Sequence, residues 1–223
     1  MNGLNKTEIK KAFFNVLSPY FENIGFDKYL TSGDPTYVLD KKNIVVSFFF
    51  NFYSNNSIGR SPFRLTHYEV ENYILNIGIP RFDIDEYKKK KKYHLSTVNF
   101  KVNPESLKKV SLYTIIEIEE FAQSFIKFYE NEGQAFIDQY SYLPNVLKEM
   151  DRLEAENLYW KEILSGGPDY LFRGVIISKL CNDANFNKKI LFVNSLLKSS
   201  EDWAPYWAKL KEVLPSIQPK YNV

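Results

Sequence analysis

The chain has 223 residues, enough for one large domain or two small ones, and its 44% hydrophobic and 25% charged content excludes a disordered polyelectrolyte, a collagen or a coiled coil. Its 29 Lys and Arg against 27 Asp and Glu leave a net charge of only +2. No apolar run approaches the roughly 18 residues a membrane span needs, and Met1 to Asp27 lacks the apolar stretch of a secretory signal, so the expected compartment is cytoplasmic.

From Thr7 to Ile24, the residues Ile9, Phe13, Val16, Leu17, Tyr20, Phe21 and Ile24 recur at helical spacing, which predicts a one-faced helix. Thr7 or Asn5 can cap it and Gly25 can end it, while Pro19 predicts a kink or break near Ser18. Tyr37 to Leu39, a polar turn at Asp40 to Asn43, and Ile44 to Tyr53 read as a hairpin. In its second strand Ile44, Val46, Phe48, Phe50 and Phe52 share one face, and flanking helices are expected to cover it, since an open row of Phe invites aggregation. Leu65 to Ile79 and Tyr93 to Val102 read as further strands.

Beyond Asn103 and Pro104 helix signals dominate. A stripe of Ile115, Ile116, Phe121, Ala122, Phe125, Ile126 and Tyr129 fades at Gly133, and helical regions follow at Leu143 to Leu164, Tyr170 to Cys181, Phe186 to Leu197 and Asp202 to Leu214. In the last, Asp202 is placed to cap, Pro205 to fill the first turn, and Trp203, Trp207, Leu210 and Leu214 to share a face. The expected fold class is α+β: an N-terminal helix on an antiparallel sheet of about four strands over residues 1–103, then a mainly helical region over 104–223.

Composition is skewed toward AT-rich codons, with 18 Phe and 16 Tyr, so an abundance of aromatics and lysines is not by itself a binding signature. Tyr87, Lys88, Lys89, Lys90, Lys91, Lys92 and Tyr93 set contiguous cations between two phenols, an arrangement suited to a phosphate backbone and stacked bases. A solvated hairpin loop accounts for the same residues, with Asp83, Asp85 and Glu86 upstream to offset the charge. Asp83 and Asp85 alone are too few oxygen ligands for a hard cation, so no metal and no cofactor is expected. Glu117, Glu119, Glu120, Glu130 and Glu132 form an acidic patch at the ends of a helix, where the early carboxylates suit the positive terminus and the patch can also meet a basic partner. His67 and His94, the only histidines, fall in predicted strands without a recognisable catalytic pattern, and Cys181 reads as a buried helix-end thiol.

The order of an opening helix closed by Ile24, Gly25 and Phe26, a short strand, a Phe-rich strand and a strand ending in Asn76, Ile77, Gly78 and Ile79 resembles bacterial α+β domains grouped as domain of unknown function 4304, some of them similar to immunity proteins of polymorphic toxin systems. The resemblance spans residues 7–79, brings no catalytic residues, and implies a binding role. The expected function is thus a non-enzymatic, immunity-like protein whose partner is another protein, such as a toxin. A nucleic-acid-associated protein using Lys88 to Lys92 is the alternative, and an enzyme whose site only the fold assembles is the third.

Overall fold

The first helix, α1 (Lys6–Asn23), begins at a capping box in the computed structural model, which describes residues 4–31, 34–60, 63–79, 95–100 and 110–223. Asn5 Oδ1 accepts from the N–H groups of Thr7 at 3.0 Å and Glu8 at 3.1 Å, and Glu8 Oε2 accepts from Asn5 N–H at 2.8 Å. These bonds satisfy donors that a helix start otherwise leaves open. The helix ends where Gly25 takes φ +94°, with Gly25 N–H bonded to Glu22 O and Phe26 N–H to Phe21 O. That is a Schellman turn, which favours glycine at its left-handed position. Of the kink or break expected near Ser18, the break does not occur: α1 runs through Pro19 as one helix. Pro19 and Asn15 are both exposed, so water can reach the Asn15 carbonyl that the proline cannot serve.

The strands are β1 (Asp27–Thr31), β2 (Asp34–Lys41), β3 (Ile44–Phe52), β4 (Ser57–Arg60), β5 (Arg64–His67), β6 (Val98–Asn99) and β7 (Val110–Ser111). Five of them lie antiparallel in the order β1-β2-β3-β4-β7. The expected hairpin is β2 to β3, turned through Lys42 at φ +50°, with Tyr37 opposite Phe48 and their rings stacked at 5.0 Å. β3 is central, and its predicted apolar face is shielded: Phe48 and Phe50 are at most 1% exposed. Phe13 and Phe21 of α1 cover it, together with Phe125 of α3 (Ile115–Phe128), at ring separations of 4.6 Å for Phe13–Phe50, 4.7 Å for Phe21–Phe48 and 4.8 Å for Phe50–Phe125. Edge-to-face and tilted pairs of this kind add to the burial of the rings themselves.

After α3 the chain widens into one π-helical turn, Tyr129–Gly133, before α4 (Gln134–Tyr140). Gly133 is required there by space: a Cβ would stand 2.6 Å from Phe63 Cε2. The stripe predicted for this helix is buried at Phe121, Ala122, Phe125, Ile126 and Tyr129, but Ile115 and Ile116 lie outside the core at 50% and 69% exposed.

The chain forms two compact units, Met1–Arg64 with Phe100–Asp138, and Leu65–Asn99 with Gln139–Val223. Each draws on both sides of the boundary expected at residues 103 and 104, which itself lies outside the described residues. The second unit corrects the reading of Leu65 to Ile79 as a strand. Only β5 is extended, and α2 (Tyr68–Ile77) follows, carrying Glu69 and Glu71 in its first turn and ending at Gly78 with φ +75°. Asn76, Ile77 and Gly78, residues of the family resemblance, therefore sit at a helix end and not in the sheet.

In the same unit β5 pairs with β6, and Thr97 N–H bonds Leu65 O at 2.8 Å. Of the strand expected from Tyr93 to Val102, residues 95–100 are described, and only β6 among them is strand. The single helical region expected from Leu143 to Leu164 is α5 (Leu143–Ala155), stopped by a left-handed Asn157 at φ +57°, then a short 3₁₀ turn, Trp160–Glu162. The remaining helices are α6 (Tyr170–Leu180), α7 (Phe186–Leu197) and α8 (Ala204–Val213). α6 is buried on nearly every side, as a central core helix must be. α8 starts from Trp203, not from an Asp202 cap, and Pro205 fills its first turn as expected. No described helix is long and apolar enough to cross a membrane.

Candidate protein-binding surface

Of the residues nominated from sequence, Tyr87, Lys88 to Lys92 and Tyr93 lie outside the described residues, as do Asp83, Asp85 and His94. Glu117, Glu119 and Glu120 fall together in the first turns of α3. Their roles divide. Glu117 Oε2 accepts from Tyr113 N–H at 2.8 Å and Thr114 N–H at 2.9 Å, and Thr114 Oγ1 accepts from Glu117 N–H at 3.2 Å. Those backbone donors, Tyr113 first, hold the Glu117 carboxyl below its usual range. Glu117 thus secures the helix start, and Glu119 and Glu120 are the acids presented outward.

The inward side of α3 is set by Ile118, Phe121, Ala122 and Phe125, all buried. Outward, the same segment shows Tyr113, Ile115 and Ile116 at 66%, 50% and 69% exposed. A groove of about 380 Å³ runs beside them, lined by Val16 from α1 and by Ile116, Glu119, Glu120, Gln123, Ser124 and Lys127 from α3. Two isoleucines exposed on the first turn of α3, with the exposed Tyr113 just before its cap and carboxylates as neighbours, are candidate anchors of an interaction site.

The candidates for acid-base or nucleophilic chemistry are engaged elsewhere. His67 is 2% exposed, its Nε2 lies 2.9 Å from Tyr140 O, and burial pushes its pKa down. Cys181 is fully buried, and burial pushes its thiol up to about 12. Its thiolate, the reactive form, is correspondingly scarce. Trp207 stacks on Phe172 at 6.0 Å and donates from Nε1 to Asn194 Oδ1 at 2.6 Å, so it docks α8 within the second unit. Among the described residues no three His, Cys, Asp or Glu side chains converge as a metal would require.

Sequence reading missed three polar constellations. Arg173 of α6 meets Glu71 of α2 through Nε at 2.7 Å and Nη2 at 2.8 Å, and also bonds Asp169 and Ser165 O, all in the buried interior of the second unit. Lys189, 1% exposed, reaches Asp151 at 2.5 Å and Asp183 at 2.8 Å. Ser18, Lys28 and Tyr37 converge beside α1 in the first unit. Helical spacing in α2 offered one usable signal: Val70, Ile74 and Ile77 are three and four apart between an acidic first turn and a terminal glycine. The Glu71–Arg173 pairing joins residues 102 apart and leaves no local trace, whereas Asp169 and Arg173 stand at the i,i+4 spacing of a helix. No protein-family model matches the chain, and neither the curated proteins nor the solved structures contain a match to it.

Proposed function

We propose that this is a non-enzymatic protein-binding molecule of the immunity type, acting in a bacterial cytoplasm, with the outward face of α3 as its gripping surface. One observation carries the reading: Ile115 and Ile116, with Tyr113 just before the cap, are exposed at the start of α3 near Glu119 and Glu120, on a helix whose other side is anchored in the aromatic core. Apolar anchors of this size supply affinity when a partner desolvates them, and the flanking carboxylates select a partner of basic charge and speed its approach. The burial of Phe48, Phe50 and Phe52 beneath α1 and α3 supports a rigid scaffold presenting a surface. The single cysteine, buried and protonated at neutral pH, suits a reducing compartment.

The test is calorimetric titration with the product of the adjacent reading frame, at low and moderate salt. Binding is expected, and the double variant Ile115→Asp, Ile116→Asp is expected to weaken it by about two orders of magnitude, a loss typical of central anchors. Glu119→Lys with Glu120→Lys is expected to slow association and reduce its salt dependence. An adjacent product that does not bind defeats the immunity assignment. Binding that ignores the aspartates defeats this surface.

A further inference from the structure

We infer that the cleft beside α1 in the first unit is a binding site for the phosphoryl group of a small phosphate monoester. The cleft measures about 550 Å³, within the range of small-molecule sites, and is walled by α1 and the start of the β1–β2 hairpin. At its floor Lys28 Nζ donates to Ser18 Oγ at 3.1 Å, and Ser18 Oγ lies 2.8 Å from the buried Tyr37 hydroxyl. Lys28 Nζ also stands 5.5 Å from the centre of the Phe14 ring, so bond and ring together hold the cation in one place.

The charge in the cleft is unbalanced. Lys10 is neutralised by Asp34, but among the described residues neither Lys11 nor Lys28 is held in an ion pair. Glu22 is the one carboxylate among the described lining residues. Among the described lining residues the donors are ammonium groups, the Asn15 amide and a hydroxyl, with no guanidinium, so the geometry offers scattered point donors and no planar fork. Such a set matches the tetrahedral oxygens of a phosphate better than the flat edge of a carboxylate. Phe14, Pro19 and Pro35 provide apolar walls for the body of the ester.

The experiment is a ¹H–¹⁵N titration of the full chain with phenyl phosphate, run beside inorganic phosphate and benzoate. Saturable shifts at Lys11, Asn15, Ser18 and Lys28 are expected with phenyl phosphate, weaker ones with inorganic phosphate, and none that saturate with benzoate. Replacing both Lys11→Met and Lys28→Met keeps an apolar stem beside Phe14 at position 28 and is expected to weaken binding about tenfold or more. Asn15→Asp, an exposed change that leaves the core untouched, is expected to weaken it through repulsion. The inference is overturned if phenyl phosphate gives no saturable shifts in the cleft, if the lysine and Asn15 variants bind as well as the wild type, or if benzoate binds equally.

Discussion

Arg173 shows why removing half of a buried pair is worse than never having made it. Its guanidinium is clamped by both oxygens of Glu71, and Thr97 donates to the same carboxylate at 2.8 Å. Arg173→Met leaves the buried Glu71 and Asp169 carboxylates without their guanidinium and is expected to cost about 3–5 kcal/mol, measured as a fall in the urea midpoint. Arg173→Met combined with Glu71→Leu and Asp169→Asn removes all three charges and should cost markedly less than the single change. Equal losses in the two variants would show that packing, not charge, governs the site. Gly174 poses the complementary steric case, since a Cβ there would stand 2.4 Å from Trp160 Cε3. Gly174→Ala is expected to destabilise by about 1–3 kcal/mol in the same assay, because the indole lies in a filled core and has nowhere to retreat.

At the scale of elements, the helices are delimited by caps that spacing alone does not reveal. Asn5→Ala removes the acceptor for two first-turn donors of α1 and should lower stability by about 1 kcal/mol, whereas Thr7→Ala should cost less, because Thr7 only donates its backbone N–H to that cap. α1 tolerates Pro19 on its exposed side, so Pro19→Ala restores a donor to Asn15 O and is expected to raise the melting temperature. A lower melting temperature would mean that the proline shapes α1. The Schellman turn recurs at Gly25, Asn157 and Asn182, where positive φ angles of 94°, 57° and 53° close α1, α5 and α6. α2 was misread because Ile74, Leu75, Ile77 and Ile79 suggest a strand by composition, while the period of Val70, Ile74 and Ile77 and the Gly78 stop are those of a short helix.

For the whole molecule, the shifted groups predict a stability dome in pH. Burial lowers the His67 pKa from its ordinary 6.5, with Tyr140 O and Glu69 opposing, so the unfolded chain takes up a proton that the folded one resists. Stability should therefore fall as pH drops below about 6.5. Asp183 adds a second loss at lower pH: burial alone would raise it, but Lys189, Ser178 and Asn185 N–H together hold it below 3.8, so its contribution disappears as it protonates. On the alkaline side burial raises the Cys181 thiol from 9.0 to about 12, and it raises the Tyr37 phenol as well. Both stay protonated in the folded chain after the unfolded chain ionises, so stability should fall as pH rises above about 9. Urea midpoints across this range test the dome, and His67→Gln, which keeps a donor for Tyr140 O, should flatten the limb between pH 6.5 and 5. An unchanged limb would remove His67 from the account.

Periodicity was sufficient for α1, the β2–β3 hairpin, α3 and the helices α6 to α8, because burying one face imposes a repeat on the residues that form it. The same logic required helices over Phe48, Phe50 and Phe52, and α1 and α3 cover them. The acidic residues of α3 were legible as a patch, but only folding separated Glu117, bound to its own helix start, from Glu119 and Glu120, which face outward beside Ile116. The Glu71–Arg173 clamp, the Lys28–Ser18–Tyr37 floor and the division into two interleaved units were decided by tertiary structure alone. A side chain's partner across a fold is chosen by where the backbone carries it, and one-dimensional spacing holds no record of that distance.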